Sequence, residues 1–200
     1  MYLSNSEIRR RARLALEKNP LGGKWFMLAM MGFVVFLVLG AANYLCFGIG
    51  FILLCGPLYI GLYNVYLKVA RGDKDIKFGT MFEGCYNFAP GLVLGFMHTL
   101  IILLWSLLLI IPGIIKGYSY SLAYFIKAEH PEYSWRDCLE ESAYAMQSHK
   151  LRLFKLHLSF IGWYVLAAVT LGFFSFWVNA YVNTATAIFY EDLKADEDDE

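Results

Sequence analysis

Formal charge is what this chain has least of. Asp, Glu, Lys and Arg make up 17% of its 200 residues, against about a quarter in ordinary soluble domains. Between Lys24 and Lys68 no charged residue occurs, between Glu83 and Lys127 only Lys116 does, and between Lys155 and Glu191 there is none. None of the three runs holds an Asp or Glu, which argues against an ion-coupled carrier built on a titratable intramembrane carboxylate. The chain also lacks a His-Glu-x-x-His helix, the Gly-x-x-x-x-Gly-Lys and Gly-x-Gly-x-x-Gly phosphate loops, and any Cys-x-x-Cys pair. These absences exclude a zincin-type protease, an ATP site within this chain, and a paired-cysteine zinc or redox motif. Ser106 and His98 share one run but stand two helical turns apart, too far for direct proton transfer in a serine protease.

What is abundant is apolar surface. Hydrophobic residues form 58% of the sequence and aromatics 18%, and the mean hydropathy is +0.49, more than a soluble core of this size absorbs. Burying one Lys, Arg or Asp at a bilayer centre costs roughly 2.5–3.5 kcal/mol, so the charge-free runs mark the membrane. Each is about twice the ~20 residues that one helix needs to cross. The expected fold is therefore all-α: a polytopic membrane helical bundle of six transmembrane helices arranged as three hairpins, with cytoplasmic amphipathic helices. The spans fall near residues 25–45, 50–68, 88–109, 112–127, 153–171 and 173–190. Gly48 and Gly50, Pro112-Gly113, and Gly172 mark the three turns.

Short loops rich in Lys and Arg stay cytoplasmic. Of the 17 such residues, all but Lys116 fall in the N-terminal segment, the 68–77 loop, the 127–155 segment or the C-terminal tail. Both termini are thus expected in the cytoplasm of a multi-pass inner-membrane protein. The organisation is read as an amphipathic helix over 1–23, a membrane domain over 24–191 with cytoplasmic segments 69–87 and 128–152, and an acidic, solvated tail over 192–200. A cleaved signal peptide is the competing reading of the basic start, Arg9 to Arg11 and Arg13. The apolar run that follows exceeds a 7–15-residue signal core and no small-x-small cleavage site follows it, so the first span is expected to be retained. The hairpins start at nearly even spacing, near Lys24, Phe88 and Leu151, but residue similarity between them is slight.

Two cytoplasmic helices are amphipathic. Ser4 with Glu7 fits a capping box; Ile8, Ala12, Ala15 and Leu16 then share one arc, and the arginines and Lys18 the other. Such a helix can lie in the headgroup layer, drawn by anionic lipid. A second helix runs from Ser134, with Asp137 three residues on, to about His149, and its apolar stripe is Trp135, Leu139, Ala143 and Met146. Both are expected first as anchors that seat the bundle. The alternative makes Trp135, Leu139 and Met146 a partner-binding stripe.

Ser159-Phe160-Ile161-Gly162-Trp163, Thr170-Leu171-Gly172 and Phe189-Tyr190, preceded by Met146 and His149-Lys150, bring a family into view. With Gly56-Pro57, Gly61, Arg71-Gly72, Phe82-Glu83-Gly84 and Pro112-Gly113-Ile114-Ile115-Lys116, the chain resembles, over nearly its whole length, the bacterial integral membrane family called domain of unknown function 975. Ala180 stands where the family pattern would have proline. The resemblance implies a bacterial inner-membrane protein and implies no activity.

Polar residues inside the runs are expensive, which makes them candidates for function. Asn64, His98, Lys116 and Tyr120 are the candidate ligand-binding set. Lys116 could hold an anionic group; its plainer role is to snorkel to the outer interface among Tyr118, Tyr120 and Tyr124. His98 reads first as a core histidine, and Asn64 and Asn179 as interhelical glue. Gly91 and Gly95 let a neighbouring helix approach closely. Cys46 and Cys55 flank the first turn, while Cys85 and Cys138 face a reducing cytoplasm. No catalytic constellation, cofactor or metal is expected. The leading expectation is a non-enzymatic accessory or partner-binding component; the alternative is a small transporter or binder of lipid-like or amphipathic molecules. The expected partners are membrane lipids and another membrane protein or a second copy, and not nucleic acid.

Overall fold

The structure is a computed structural model that describes residues 2–16, 23–45, 49–73, 76–86, 88–170, 172 and 174–197. Lys18, Cys46, Gly48, Leu171 and residues 198–200 lie outside the described residues. Those described are helical, with no strand among them. The helices are α1 (Asn5–Ala15), α2 (Gly23–Leu45), α3 (Ile49–Ala70), α4 (Phe88–Leu108), α5 (Ile110–Ser119), α6 (Ala123–Glu129), α7 (Trp135–Ala145), α8 (Lys150–Leu158), α9 (Ile161–Val169) and α10 (Ser175–Glu197), with a 3-10 helix at Phe78–Cys85. The chain divides into two compact units: Met1–Val34, Val65–Phe78 and Arg152–Glu200 form the first, Val35–Asn64 and Gly79–Leu151 the second.

In the first unit α1 packs along α10. Ser4 caps it by accepting the Glu7 N–H at 3.3 Å, and Ile8, Ala12 and Leu16 are fully buried. The apolar arc expected to face lipid is therefore covered by protein. Tyr181 of α10 is the hub: its hydroxyl donates to the Arg9 carbonyl at 3.1 Å, and its ring meets Trp25 at 5.4 Å, Phe160 at 4.8 Å and Trp163 at 5.9 Å. α10 runs on through Glu197, so the first residues of the expected tail are helical. Asp192 among them accepts the Leu3 N–H at 3.2 Å and pairs with Arg152. Gly172, at φ +84°, turns the chain between α9 and α10 as the sequence predicts; its N–H donates to the Ala167 carbonyl at 2.9 Å.

The second unit is packed through backbone. A Cβ on Gly56 of α3 would overlap the Gly91 carbonyl oxygen, and one on Gly95 would stand 2.6 Å from the Gly56 Cα. The neighbour admitted by the Gly91/Gly95 pair is therefore α3. Gly61 likewise lies against the Met81 carbonyl, which lays the 3-10 helix directly on α3. α7 packs on α4, α5 and α6. It is capped by a full box, with Ser134 accepting the Asp137 N–H at 3.3 Å and Asp137 accepting the Ser134 N–H at 2.8 Å.

Two expected spans are broken. Residues 112–127 are divided between α5 and α6, and Pro112-Gly113 sits inside α5 rather than in a turn. The reversal falls one step earlier, at Leu109, in extended backbone (φ −159°, ψ 137°). Proline is tolerated in the first turn of a helix because its missing N–H has no intrahelical partner there, so Pro112 starts α5 instead of ending α4. Residues 153–171 are divided between α8 and α9, bent by 43°. Among the described residues two helices are long and apolar enough to cross a membrane, Gly23–Tyr44 and Phe88–Leu107, with mean hydropathies of 2.3 and 1.9; the bent pair makes a third if it crosses as one. Among the described residues the count stops at two or three: α5 and α6 are short, and α10 carries Asn179, Asn183, Thr184 and Thr186 before its charged end.

Candidate binding site

α6 ends where Pro131 follows His130, since the residue before proline is driven out of helical backbone. The turn that follows carries two carbonyls toward Lys127. This side chain is only 3% exposed, and its ammonium donates to the Pro131 oxygen at 2.7 Å and to the Tyr133 oxygen. An ammonium has three N–H donors, so one remains beyond those two carbonyls. Among the described residues no carboxylate lies within ion-pair reach of it. Lys127 instead lines a cavity of about 170 Å³ with Ile60, Asn64, Glu83, Gly84, Ala128 and Pro131. Across that cavity the Asn64 amide donates to the Glu83 carboxylate at 3.2 Å, a contact made by the close seating of the 3-10 helix on α3. Asn64 is a predicted site residue; Lys127 and Glu83 are not. Lys127 served in the sequence only as the charge that ends a run, and a partner six residues away in a turn leaves no periodic signature.

The other candidates cluster around the α4, α5 and α6 junction. The His98 ring stacks edgewise on Tyr124 at 5.0 Å and bonds the Tyr120 backbone, while its Nε2 is buried with no hydrogen-bond partner. Tyr124 also meets Tyr59 at 5.9 Å and Tyr63 at 5.5 Å. The Lys116 ammonium sits 5.3 Å from the Trp105 ring centre and 5.5 Å from that of Tyr120, a cation–π arrangement. His98, Lys116 and Tyr120 are thus brought together, and Asn64 is not with them. The aromatic group joins the two places, because Tyr63 precedes Asn64 on α3.

The expected partner stripe faces inward. Met146 is fully buried and Leu139 is 4% exposed, beneath helices of their own unit; Trp135 alone is half-exposed, with the Arg136 guanidinium 5.1 Å above its ring. The reason is Ser142, which lies on the same face and was not singled out in the sequence. Its hydroxyl donates to the Ser119 carbonyl at 2.8 Å and accepts the Leu122 N–H at 3.2 Å, stapling α7 across the α5–α6 break. Asp137 is held below the usual carboxylate range by the Ser134 side chain and backbone, with the Lys127 charge adding to the effect. Burial pushes the Cys138 thiol up to about 11, which makes it a packing group and no nucleophile at neutral pH. Among the described residues no three His, Cys, Asp or Glu side chains are grouped to hold a metal.

These features define an all-helical protein with two or three membrane-length apolar helices and a small, polar cavity. Residues 106–197 match the family model described as Protein of unknown function (DUF975), so a little under half of the chain is similar to that family. The match covers the Ser-Phe-Ile-Gly-Trp run and the α5–α7 staple; the glycine motifs of α3 and Phe82-Glu83-Gly84 lie before it. No curated protein and no solved structure was found to match the chain.

Proposed function

We propose that this is a non-enzymatic, multi-pass bacterial inner-membrane protein that binds a small polar or amphipathic molecule in its second unit. The observation that carries this reading is the buried Lys127 ammonium, which lines a cavity, bonds two carbonyls and has no carboxylate within ion-pair distance among the described residues. A buried cation is costly unless its donors are satisfied, so a carboxylate or other anionic group entering the cavity would be held strongly. Asn64 on the facing wall supplies a donor that would orient it, Glu83 can accept from a hydroxyl or amino group of the same molecule but not from its anionic end, and the orphaned His98 Nε2 offers a further polar point along the Tyr63–Tyr124 rings. The accessory-subunit reading loses support because Leu139 and Met146 are covered by the chain itself.

Six crossings with both termini cytoplasmic remain the topology that charge spacing favours, with the fourth span broken at residues 120–122 and the fifth at 159–160. Cysteine labelling from each side of the membrane tests it: a reporter cysteine at Lys116 should react only from outside, and one at Gly72 only from inside. For binding, the test is native mass spectrometry of the protein in mild detergent. A small molecule retained by the parent and lost in Asn64→Ala, with the thermal midpoint unchanged, supports the reading. Retention that persists in both Asn64→Ala and Lys127→Gln overturns it.

A further inference from the structure

The mouth of α2 holds a second cavity, entirely within the first unit. It measures about 390 Å³ and is lined by Arg10, Arg13, Leu14 and Trp25. We propose that it is a seat for the phosphate of an anionic phospholipid, with Arg13 as the main contact.

The cavity has a fixed floor and a charged rim. Trp25 is 5% exposed; its indole N–H donates to the Trp177 carbonyl at 3.0 Å, and its ring is braced by Tyr181. α1 cannot roll, because Ile8, Ala12 and Leu16 are fully buried beneath it and its Arg9 carbonyl is held by Tyr181. Arg10 and Arg13 therefore line the same cavity as the fixed indole. Arg10 is oriented by two bonds to Glu7, each 2.8 Å. Arg13 has no ion pair among the described residues, so its whole donor fork is open to a phosphate, which it matches in geometry.

The lining also separates a lipid from a free anion. Leu14 stands 53% exposed beside the arginines, and Trp25 lies in the first turn of a helix apolar enough to cross a bilayer. A phosphate between the guanidiniums thus has apolar surface below it for the glycerol and first acyl carbons. An inorganic ion would leave that surface uncovered. Tryptophan at such a level is the usual companion of the headgroup region.

The test uses the full chain in mild detergent with phosphatidylglycerol or phosphatidylcholine added, counting retained lipids by native mass spectrometry. Phosphatidylglycerol should be retained in preference to phosphatidylcholine. Arg13→Gln should reduce that retention by about tenfold, the loss of one charge-assisted contact. Arg11→Gln, outside the cavity, should leave it unchanged. Equal retention of the two lipids, or an Arg11→Gln loss as large as that of Arg13→Gln, overturns the proposal. So does displacement of the lipid by millimolar inorganic phosphate, which would make the site a plain anion site.

Discussion

The two units treat buried charge in opposite ways. In the first, the Arg152 guanidinium, 18% exposed, meets a carboxylate, a carbonyl and two rings, and only its Nη1 is buried without a hydrogen-bond partner. It pairs with Asp192, donates to the Leu3 carbonyl at 2.8 Å, and lies 4.7 Å from the Tyr2 ring centre and 4.8 Å from that of Phe189. In the second, Lys127 is more deeply buried yet has carbonyls alone, and Lys116 has rings alone. Carbonyls and aromatic faces orient a cation without cancelling its charge. The first unit therefore uses its buried ions to fasten its termini, whereas the second leaves positive charge pointing into space that another molecule can fill. Both units interlock aromatic rings, around Tyr181 in the first and Tyr124 in the second, but close glycine-mediated backbone contact marks the second.

The sharpest way to break this contrast is to add one methyl group to each unit. Gly61→Ala places a Cβ on the Met81 carbonyl and must push the 3-10 helix off α3, so the thermal midpoint in detergent should fall by an amount equivalent to about 3 kcal/mol. The Asn64–Glu83 bond should be lost with it. Gly162→Ala in α9 meets nothing within 4 Å and should stabilise by up to about 1 kcal/mol through helix propensity. A mild effect of Gly61→Ala would show that the second unit is not held by close backbone contact. Nearly as large, Asp192→Asn strands the Arg152 charge and should cost about 3 kcal/mol. Arg152→Met added to it should recover part of that loss, and additive losses in the double variant would mean that the pair is not coupled.

Much of the architecture was legible because charge is expensive in a bilayer. The ends of α2, α3 and α4 lie within a few residues of the spans read from charge spacing, since each boundary was fixed by a lysine, a proline or a turn. The reversal at Leu109 was read three residues late, at Pro112-Gly113; the breaks at residues 120–122 and at 159–160 were not legible. They fall inside apolar sequence, where hydropathy is blind to whether a helix continues or reverses. Amphipathic stripes were read as one-sided, first as anchors that seat the bundle and alternatively as a partner surface; in the structure the arcs of Ile8, Ala12 and Leu16, and of Leu139 and Met146, are buried against protein. A stripe records only that something apolar covers it, and lipid, partner and self leave the same pattern. In the site, Asn64 was visible as an isolated polar residue on an apolar helix. Lys127 and Glu83 were hidden by their place at run boundaries, where a charge needs no explanation.

A smaller effect is expected at the staple that covers the second stripe. Ser142→Ala leaves the Leu122 N–H and the Ser119 carbonyl unpaired in a buried place, at a cost of about 2 kcal/mol. Hydrogen exchange should report it locally, as faster exchange at residues 119–123 and across α7, with α1 and α10 unaffected. Spread of the effect to the termini would break the division into two units.

The smallest effect should come from acid acting on α1. Hydrogen bonds from Arg10 and Arg11 hold the Glu7 carboxyl down at about 2, against an ordinary value of 4.5. A carboxylate whose folded value is depressed contributes stability that is fully present above its unfolded value and is lost as pH falls through the folded one. Amide protection of α1 should thus be level from pH 7 down to about 4.5 and decline between there and pH 2. The discriminating variant is Glu7→Gln. It removes only this carboxylate, and should give at pH 7 the lowered protection that the parent reaches in acid while flattening most of the slope. An unchanged slope in Glu7→Gln would show that the acid sensitivity of α1 does not come from the Glu7 carboxylate, and that its bonds to Arg10 and Arg11 orient those side chains without stabilising the helix.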